Sequence, residues 1–328
     1  MKYINVLRTL SSRLGLIATI IIASNFGCAS FPISPAVRTT TNSNPDFTRA
    51  VEQTATQENT LQRSHTATLP QTSPFSLQSS NTATIPPANI QPGPLQTDIP
   101  TEDIVWEMLG QVNIDRALND LRQLTGEVPI CIDNECYTIT NRITESEGLQ
   151  WAKEYVYNVL VNLGYSVELQ DWSRSGRADQ NLIARKTGKD SPDEEIYFVA
   201  HLDGINLGVA ERCPAADDNA SGVVGVLELA RILSNYTFSN TVVLLIFTGE
   251  EQGALGAHSY VDQLSPEELS NIEYVVNVEM LGYDANRDGV MELWSGDHPP
   301  SLVFAQLLSE IISAYQLDLA PSIVTGCI

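Results

Sequence analysis

Residues 214–222 read PAADDNASG and place two adjacent carboxylates, Asp217 and Asp218, directly before an apolar segment. Because adjacent carboxylates repel each other, a fold keeps such a pair together where a cation compensates the charge. Acidic residues or a histidine also follow three other apolar runs. These are His201 and Asp203 after run 196–200, Glu250 and Glu251 after run 241–247, and Glu279 after run 274–278.

The apolar runs indicate the fold class. Runs 196–200, 241–247 and 274–278 have the length and composition of buried strands, and they alternate with helical patterns such as 223–233. This alternation predicts an α/β fold, a three-layer sandwich with a largely parallel central sheet. Ligands of such sheets bind outside the carboxyl ends of the strands, so the acidic residues and His201 are expected to converge on one site. A histidine with several carboxylates is a ligand set for divalent metals.

Shorter patterns predict elements that precede the central strands. Thr144 and Glu147 fit a capping box that opens a helix, and this helix is expected to end at Gly164. Segments 165–172 and 181–185 have strand composition and are separated by a polar turn.

The first hundred residues differ from the rest of the chain. Residues 1–28 combine a basic start, an apolar stretch and Cys28 after a glycine, which is typical of a signal peptide. Ordinary cleavage, a lipid anchor at Cys28 and a retained anchor are the three alternatives, and all put the remainder outside the cytoplasm. Residues 29–100 are rich in Thr, Ser, Asn, Gln and Pro and are predicted to be a disordered linker. Residues 101–328 form the predicted globular domain.

The net charge limits the possible binding partners, and the cysteine spacing indicates a disulfide. The net charge of −22 argues against a nucleic-acid partner, because such a protein must neutralise phosphates with Lys and Arg. In an exported protein, Cys131 and Cys136, which bracket a short turn, are expected to form a local disulfide. A second bridge between Cys213 and Cys327 has less support, and the alternative for Cys213 is a buried thiol.

The histidine and the adjacent aspartates suggest complementary roles. Asp203, two residues after His201, can hold one ring nitrogen and leave the other for a metal. Asp217 can bridge two cations, while Asp218 acts through hydrogen bonds. The alternative is that Asp218 and Asn219 only cap the following helix.

Glu250 and Glu251 are consecutive, so their side chains diverge. One can bind a metal while the other takes a proton from an attacking water and passes it to a departing amine. An acidic pair at a helix start is usually a surface feature, so the position after a central strand is what favours a site.

Four motifs occur in order: HLDG, PAADDNASG, TGEEQGALG and NVEMLGY. From about Val105 onward the chain resembles the bacterial zinc aminopeptidases, which are related to secreted leucyl aminopeptidases, prostate-specific membrane antigen and glutaminyl cyclase. The resemblance implies a zinc-exopeptidase-like fold and removal of N-terminal residues from a peptide substrate. It implies that His201 and Glu279 bind one zinc, and that Asp217 bridges this zinc to a second one held by Glu251. It also implies that Glu250 is the general base and that Asp203 orients His201. It also implies a non-proline cis peptide between Asp217 and Asp218.

Two features depart from the family pattern. Many members have Asp where this chain has Glu279, although Glu is an equivalent oxygen ligand. The family's last ligand is a histidine well beyond this position, and the sequence ends at Ile328 before reaching it. We therefore expect a domain that is incomplete at its C-terminus, with one well-formed zinc site. His298 is an unsuitable substitute because it lies too early, and His258 is expected to be a solvated or packing residue in a helix.

Three other functions remain open. A mono-zinc glutaminyl cyclase is ranked lower because the first histidine ligand, usually lost there, is present as His201. A related carboxypeptidase or deacylase family normally has Met-Lys-Gly after its bridging aspartate, where this chain has Asp-Asn-Ala-Ser-Gly. An inactive, truncated binding domain is the non-enzymatic alternative. Substrate side-chain preference and oligomeric state are not predicted.

Overall fold

The computed structural model describes residues 102–205, 212–284, 286–295 and 299–325. The predicted signal segment, 1–28, the predicted linker, 29–100, His298 and Cys327 lie outside the described residues.

Helices and strands alternate along most of the described chain. In chain order they are α1 Glu102–Leu109, α2 Ile114–Leu124, β1 Ile130–Ile132, β2 Glu135–Tyr137, α3 Glu147–Asn162, β3 Ser166–Arg174, β4 Arg177–Lys186, β5 Ser191–His201, α4 Gly222–Leu233, β6 Asn240–Phe247, α5 Leu255–Gln263, α6 Pro266–Asn271, β7 Ile272–Asn277, β8 Val290–Ser295, α7 Pro299–Ala314 and β9 Ala320–Thr325. A π-helical turn, Ala216–Ser221, leads directly into α4.

The central sheet has five strands in the order β3-β4-β6-β5-β7. Strand β5 runs parallel to both β6 and β7, whereas β4 is antiparallel to β3 and β6. The antiparallel pair arises because β3 and β4 are joined by only Ser175 and Gly176, both at positive φ, as in a tight hairpin turn. The α/β class is confirmed, with a mixed sheet in which β6, β5 and β7 are parallel. Strand β7, expected to be a buried strand, instead lies at the edge of the sheet and is partly exposed, because only β5 pairs with it.

Apolar layers cover both faces of this sheet. Along β5, Ile196, Phe198 and Ala200 pack with helix α4 in the larger core, while Tyr197 and Val199 pack on the opposite face with Tyr260 of α5. This alternation follows from the two-residue period of a strand. Helix α4 is buried at every position except Arg231, as its apolar sequence predicts. Burial of each large apolar side chain contributes about 1.5–3 kcal/mol, so the sheet is a rigid support for the loops at its edge.

The start of α3 differs from the prediction. Ser146, not Thr144, is the N-cap, and its side chain accepts a hydrogen bond from the amide of Leu149. The Thr144 hydroxyl is instead near Asp203 and hydrogen bonds to Gln252. The predicted capping box is therefore wrong, because tertiary partners compete for Thr144. The predicted helix end is confirmed, since Gly164 follows the last turn at a φ of 86°.

Cys131 and Cys136 face each other across the β1–β2 hairpin and form the predicted disulfide. Cys213 is a buried free thiol.

Within the described ranges, none of the helices combines the length and the apolar character needed to cross a membrane.

Candidate metal centre

His201 ends strand β5 and is almost completely buried. Its Nδ1 atom lies 3.1 Å from the main-chain oxygen of Asp203. Because a carbonyl oxygen only accepts hydrogen bonds, this contact places the ring hydrogen on Nδ1 of the neutral imidazole. The Nε2 atom is then available as a ligand.

Two carboxylates face this nitrogen. Nε2 of His201 lies 3.1 Å from Oδ1 of Asp218 and 3.3 Å from Oε1 of Glu279. One ligand atom of each of the three residues lies within 4.8 Å of the others. Zinc–nitrogen and zinc–oxygen bonds of about 2.0–2.1 Å at tetrahedral angles separate ligand atoms by roughly 3.3 Å. The donor set and its spacing therefore fit a zinc ion.

The electrostatics of the three residues favour a bound cation. Burial opposes a charge on His201, but the carboxylates of Asp203 and Glu279 outweigh it and raise the pKa of His201 to about 11. The surrounding carboxylates thus attract positive charge to the position beside Nε2, whether a proton or a metal ion carries it.

The structure differs from the sequence prediction within the aspartate pair. Asp218 lies beside His201, whereas Oδ1 of Asp217 accepts hydrogen bonds from the amide of Gly282 at 2.8 Å and from the Ser221 hydroxyl at 3.2 Å. Asp218 is therefore the candidate ligand in this arrangement, and the bridging role of Asp217 stays a prediction. The cis peptide lies between Asp218 and Asn219, one bond later than expected.

Asn219 is a fully buried residue whose importance the sequence only partly indicates. Its Oδ1 accepts from the amide of Gly222 at 3.0 Å, which is the helix-capping contact suggested by the sequence. The same side chain also donates to the carbonyl of Val278 at 3.0 Å and accepts from the amide of Met280 at 3.2 Å. Asn219 thereby holds both neighbours of Glu279.

Asp203 is completely buried beneath the glutamate pair. Its two carboxylate oxygens accept hydrogen bonds from the amides of Glu250 at 3.1 Å and Glu251 at 3.2 Å. Contact with the His201 ring comes chiefly from the Asp203 carbonyl, because the carboxylate is 3.7 Å from Nδ1. Asp203 thus positions the histidine through its main chain and both glutamates through its side chain.

The two glutamates diverge as expected. Oε2 of Glu250 lies 3.9 Å from Nε2 of His201, and burial is the main cause that raises the pKa of Glu250. Oε1 of Glu251 instead accepts from the amide of Ile205 at 3.2 Å. Burial, followed by the charge of Asp218, raises the pKa of Glu251 to about 7. Glu251 is not in the three-residue group, and its role as a second-zinc ligand stays a prediction. His258 is exposed on α5, as expected.

This site lies at the carboxyl ends of the parallel strands and combines a metal-type ligand set with an adjacent carboxylate, the arrangement of a metal-dependent hydrolase. Residues 181–321 match Peptidase family M28, so this region of the chain is similar to that family.

Comparisons with individual proteins agree with the family. Leucine aminopeptidase 2 of Trichophyton equinum is 34% identical over 106 residues, which are 32% of this chain and 20% of that protein. The chain thus spans about a fifth of the length of this curated relative. The LapA aminopeptidase of Legionella pneumophila has a similar fold, with a TM-score of 0.54, 22% identity and coverage of 69% of this chain and 58% of LapA. Glutaminyl cyclase of Macrostomum lignano shares the fold at a TM-score of 0.52 and 17% identity, over 68% of this chain and 74% of the cyclase.

Proposed function

We propose that this chain is a zinc-dependent aminopeptidase in which His201, Asp218 and Glu279 hold a zinc ion and Glu250 is the general base. The observation that carries the proposal is the spacing around one atom. Nε2 of His201 has the two candidate ligand oxygens at 3.1 and 3.3 Å and a Glu250 oxygen at 3.9 Å.

A zinc ion bound here would polarise a substrate carbonyl and lower the pKa of a coordinated water. Glu250, which is half exposed, has no ligand contact in this arrangement and is free to face the substrate side. Its raised pKa suits a carboxylate that accepts a proton from water and then delivers it to the departing amine. Asp203 keeps this carboxylate in place by binding the Glu250 amide.

A location outside the cytoplasm forms part of the proposal. The disulfide between Cys131 and Cys136 supports it, because structural disulfides persist mainly in oxidising compartments. Peptides with a free amino terminus are the proposed substrates, as for the aminopeptidases that the chain resembles.

The test uses the full chain loaded with zinc and a set of aminoacyl-p-nitroanilides. We expect hydrolysis that a chelator abolishes and zinc restores. A glutamine-initiated peptide serves as the second substrate, since a cyclase would release ammonia from it and leave the anilides intact. Cyclisation without anilide hydrolysis would replace the aminopeptidase proposal with the cyclase alternative, and zinc binding without either reaction would leave only a metal-binding domain.

A further inference from the structure

Arg142 has a completely buried side chain, although arginine is rarely buried without a carboxylate partner. Its guanidinium hydrogen bonds to four main-chain carbonyls instead. Nε donates to Leu202 at 2.8 Å, Nη1 to Pro214 at 2.8 Å and to Leu124, and Nη2 to Ala215 at 2.9 Å. A planar fork with several donors is suited to joining separate chain segments in this way.

The main chain around Arg142 makes the same connections. The Arg142 carbonyl accepts from the amide of Gly204 at 3.1 Å, and the Thr140 carbonyl accepts from the amide of Cys213 at 2.8 Å. Residues 140–142 are therefore bonded to both described ends of the connection between β5 and the π-helical turn. These ends are residues 202–204, called the His201 loop, and residues 213–215, called the Asp218 loop.

Candidate zinc ligands adjoin both loops, because His201 ends β5 and Asp218 lies in the π-helical turn. Leu202 separates His201 from Asp203, and Pro214 and Ala215 lie just before the aspartate pair. The loops approach so closely that a Cβ atom added at Gly204 would lie 2.3 Å from Cβ of Ala215. A bridge between Leu202 and Ala215 thus acts directly on the separation of His201 and Asp218.

The positive charge of Arg142 also affects the electrostatics of the site. Burial lowers the pKa of Arg142 to about 10, so the guanidinium remains charged at neutral pH. Asp203 and Asp218 are among the nearby groups that stabilise this charge. In return, Arg142 offsets part of the repulsion among the carboxylates of the site.

We propose that Arg142 is a positioning residue of the metal centre, which holds the His201 loop and the Asp218 loop at the separation that one zinc ion requires. The zinc part of this inference rests on the proposed function, whereas the loop-holding part does not.

The test compares Arg142→Met and Arg142→Lys with Arg231→Met in the full chain. Arg231 is a matched control because it is largely buried and its Nη1 lies 2.6 Å from Oδ2 of Asp120, among helices. Zinc affinity is measured by competition with a chelator, and hydrogen exchange is followed at the amides of Gly204 and Cys213. We expect Arg142→Met to weaken zinc binding by about 10–100-fold, as for residues that orient metal ligands, and to accelerate exchange at both amides.

Arg142→Lys should be intermediate, because an ammonium group reaches fewer of the carbonyls. Arg231→Met should keep wild-type zinc affinity and wild-type exchange at these two amides even if it lowers stability. If Arg142→Met does not fold, Arg142→Lys provides the same comparison. Wild-type affinity and exchange in a folded Arg142 variant would overturn the inference. Failure of the wild-type protein to bind zinc would instead remove the proposed function, and the exchange data would still decide whether Arg142 holds the loops.

Discussion

Nε2 of His201 and Oδ1 of Asp218 are 3.1 Å apart, although 17 positions separate the two residues in the chain. His201 ends a buried central strand, and Asp218 lies in the turn that precedes the buried helix α4. Because both supports belong to the main core, the distance between the two atoms is a property of the fold rather than of a single loop.

We expect Asp218→Asn to weaken zinc binding more strongly than Asp217→Asn. An amide oxygen is a poorer ligand than a carboxylate, and Asp218 is the aspartate beside His201. Asp217→Asn should act mainly on stability, through the contacts to Gly282 and Ser221. Equilibrium dialysis with zinc and urea unfolding of both variants measure the two effects. Stronger loss of zinc in Asp217→Asn would restore the original assignment of the bridging residue.

Glu250→Gln should lower aminopeptidase turnover by about 10²–10⁴-fold, because glutamine cannot accept the proton. The variant should retain zinc, since the three-residue ligand group does not include Glu250. Steady-state kinetics and elemental analysis of the same preparation measure both quantities. Exposed Glu267 on α6 supplies the matched control, Glu267→Gln, which should behave as wild type. Wild-type turnover in Glu250→Gln would exclude this residue as the base.

Asn219→Ala should reduce the free energy of unfolding by at least about 2 kcal/mol, because it removes three hydrogen bonds and leaves buried main-chain groups without partners. Zinc affinity should fall as well, since Asn219 holds both neighbours of Glu279. Asn235→Ala is the control, because its side chain makes an exposed contact to Arg231. Equal losses of stability in the two variants would contradict the role of Asn219.

Gly204→Ala should destabilise the fold by about 1–3 kcal/mol, the usual cost of overpacking. The added Cβ would lie 2.3 Å from Cβ of Ala215 and would push apart the loops that adjoin His201 and Asp218. Gly110→Ala is the comparison, since its Cβ would approach nothing closer than 3.3 Å. Thermal unfolding with and without zinc detects the change, and a Gly204→Ala protein with unaltered stability would show that the loops can separate freely.

Removing the disulfide in the double variant Cys131→Ser/Cys136→Ser should cost about 2 kcal/mol, since the cross-linked loop is short. Urea unfolding of the oxidised wild type, the reduced wild type and the double variant measures the effect. The reduced wild type should match the variant. Mass spectrometry of the unreduced protein should find both thiols resistant to alkylation, and a freely alkylated Cys131 would contradict the bridge.

Periodicity and burial explain why much of the fold could be predicted. The cores of β5 and β6 were recognisable as short apolar runs, and α4 as an apolar helix, because these elements are covered on both sides by the rest of the protein. Strand β7 was recognisable by its apolar run as well, although it lies at the edge of the sheet and Val275 is exposed. The antiparallel direction of β4 could not be predicted from the apolar pattern, since it depends on the tight turn at Ser175 and Gly176. Thr144 was misassigned because its capping pattern is local, whereas its actual partners, Asp203 and Gln252, are distant in sequence.

The sequence by itself determined that a histidine and several carboxylates follow the central strands, because the alternation of apolar runs and polar ends is a local property of the chain. Only the tertiary structure decided which of the two adjacent aspartates faces His201. Asp217 and Asp218 are chemically identical, and the path of the turn and the Gly282 amide direct one toward the metal position and the other away from it. The structure also decided the place of Arg142, because the polar sequence around this arginine does not indicate that its side chain is buried. Its function depends on four carbonyl groups that only folding brings together.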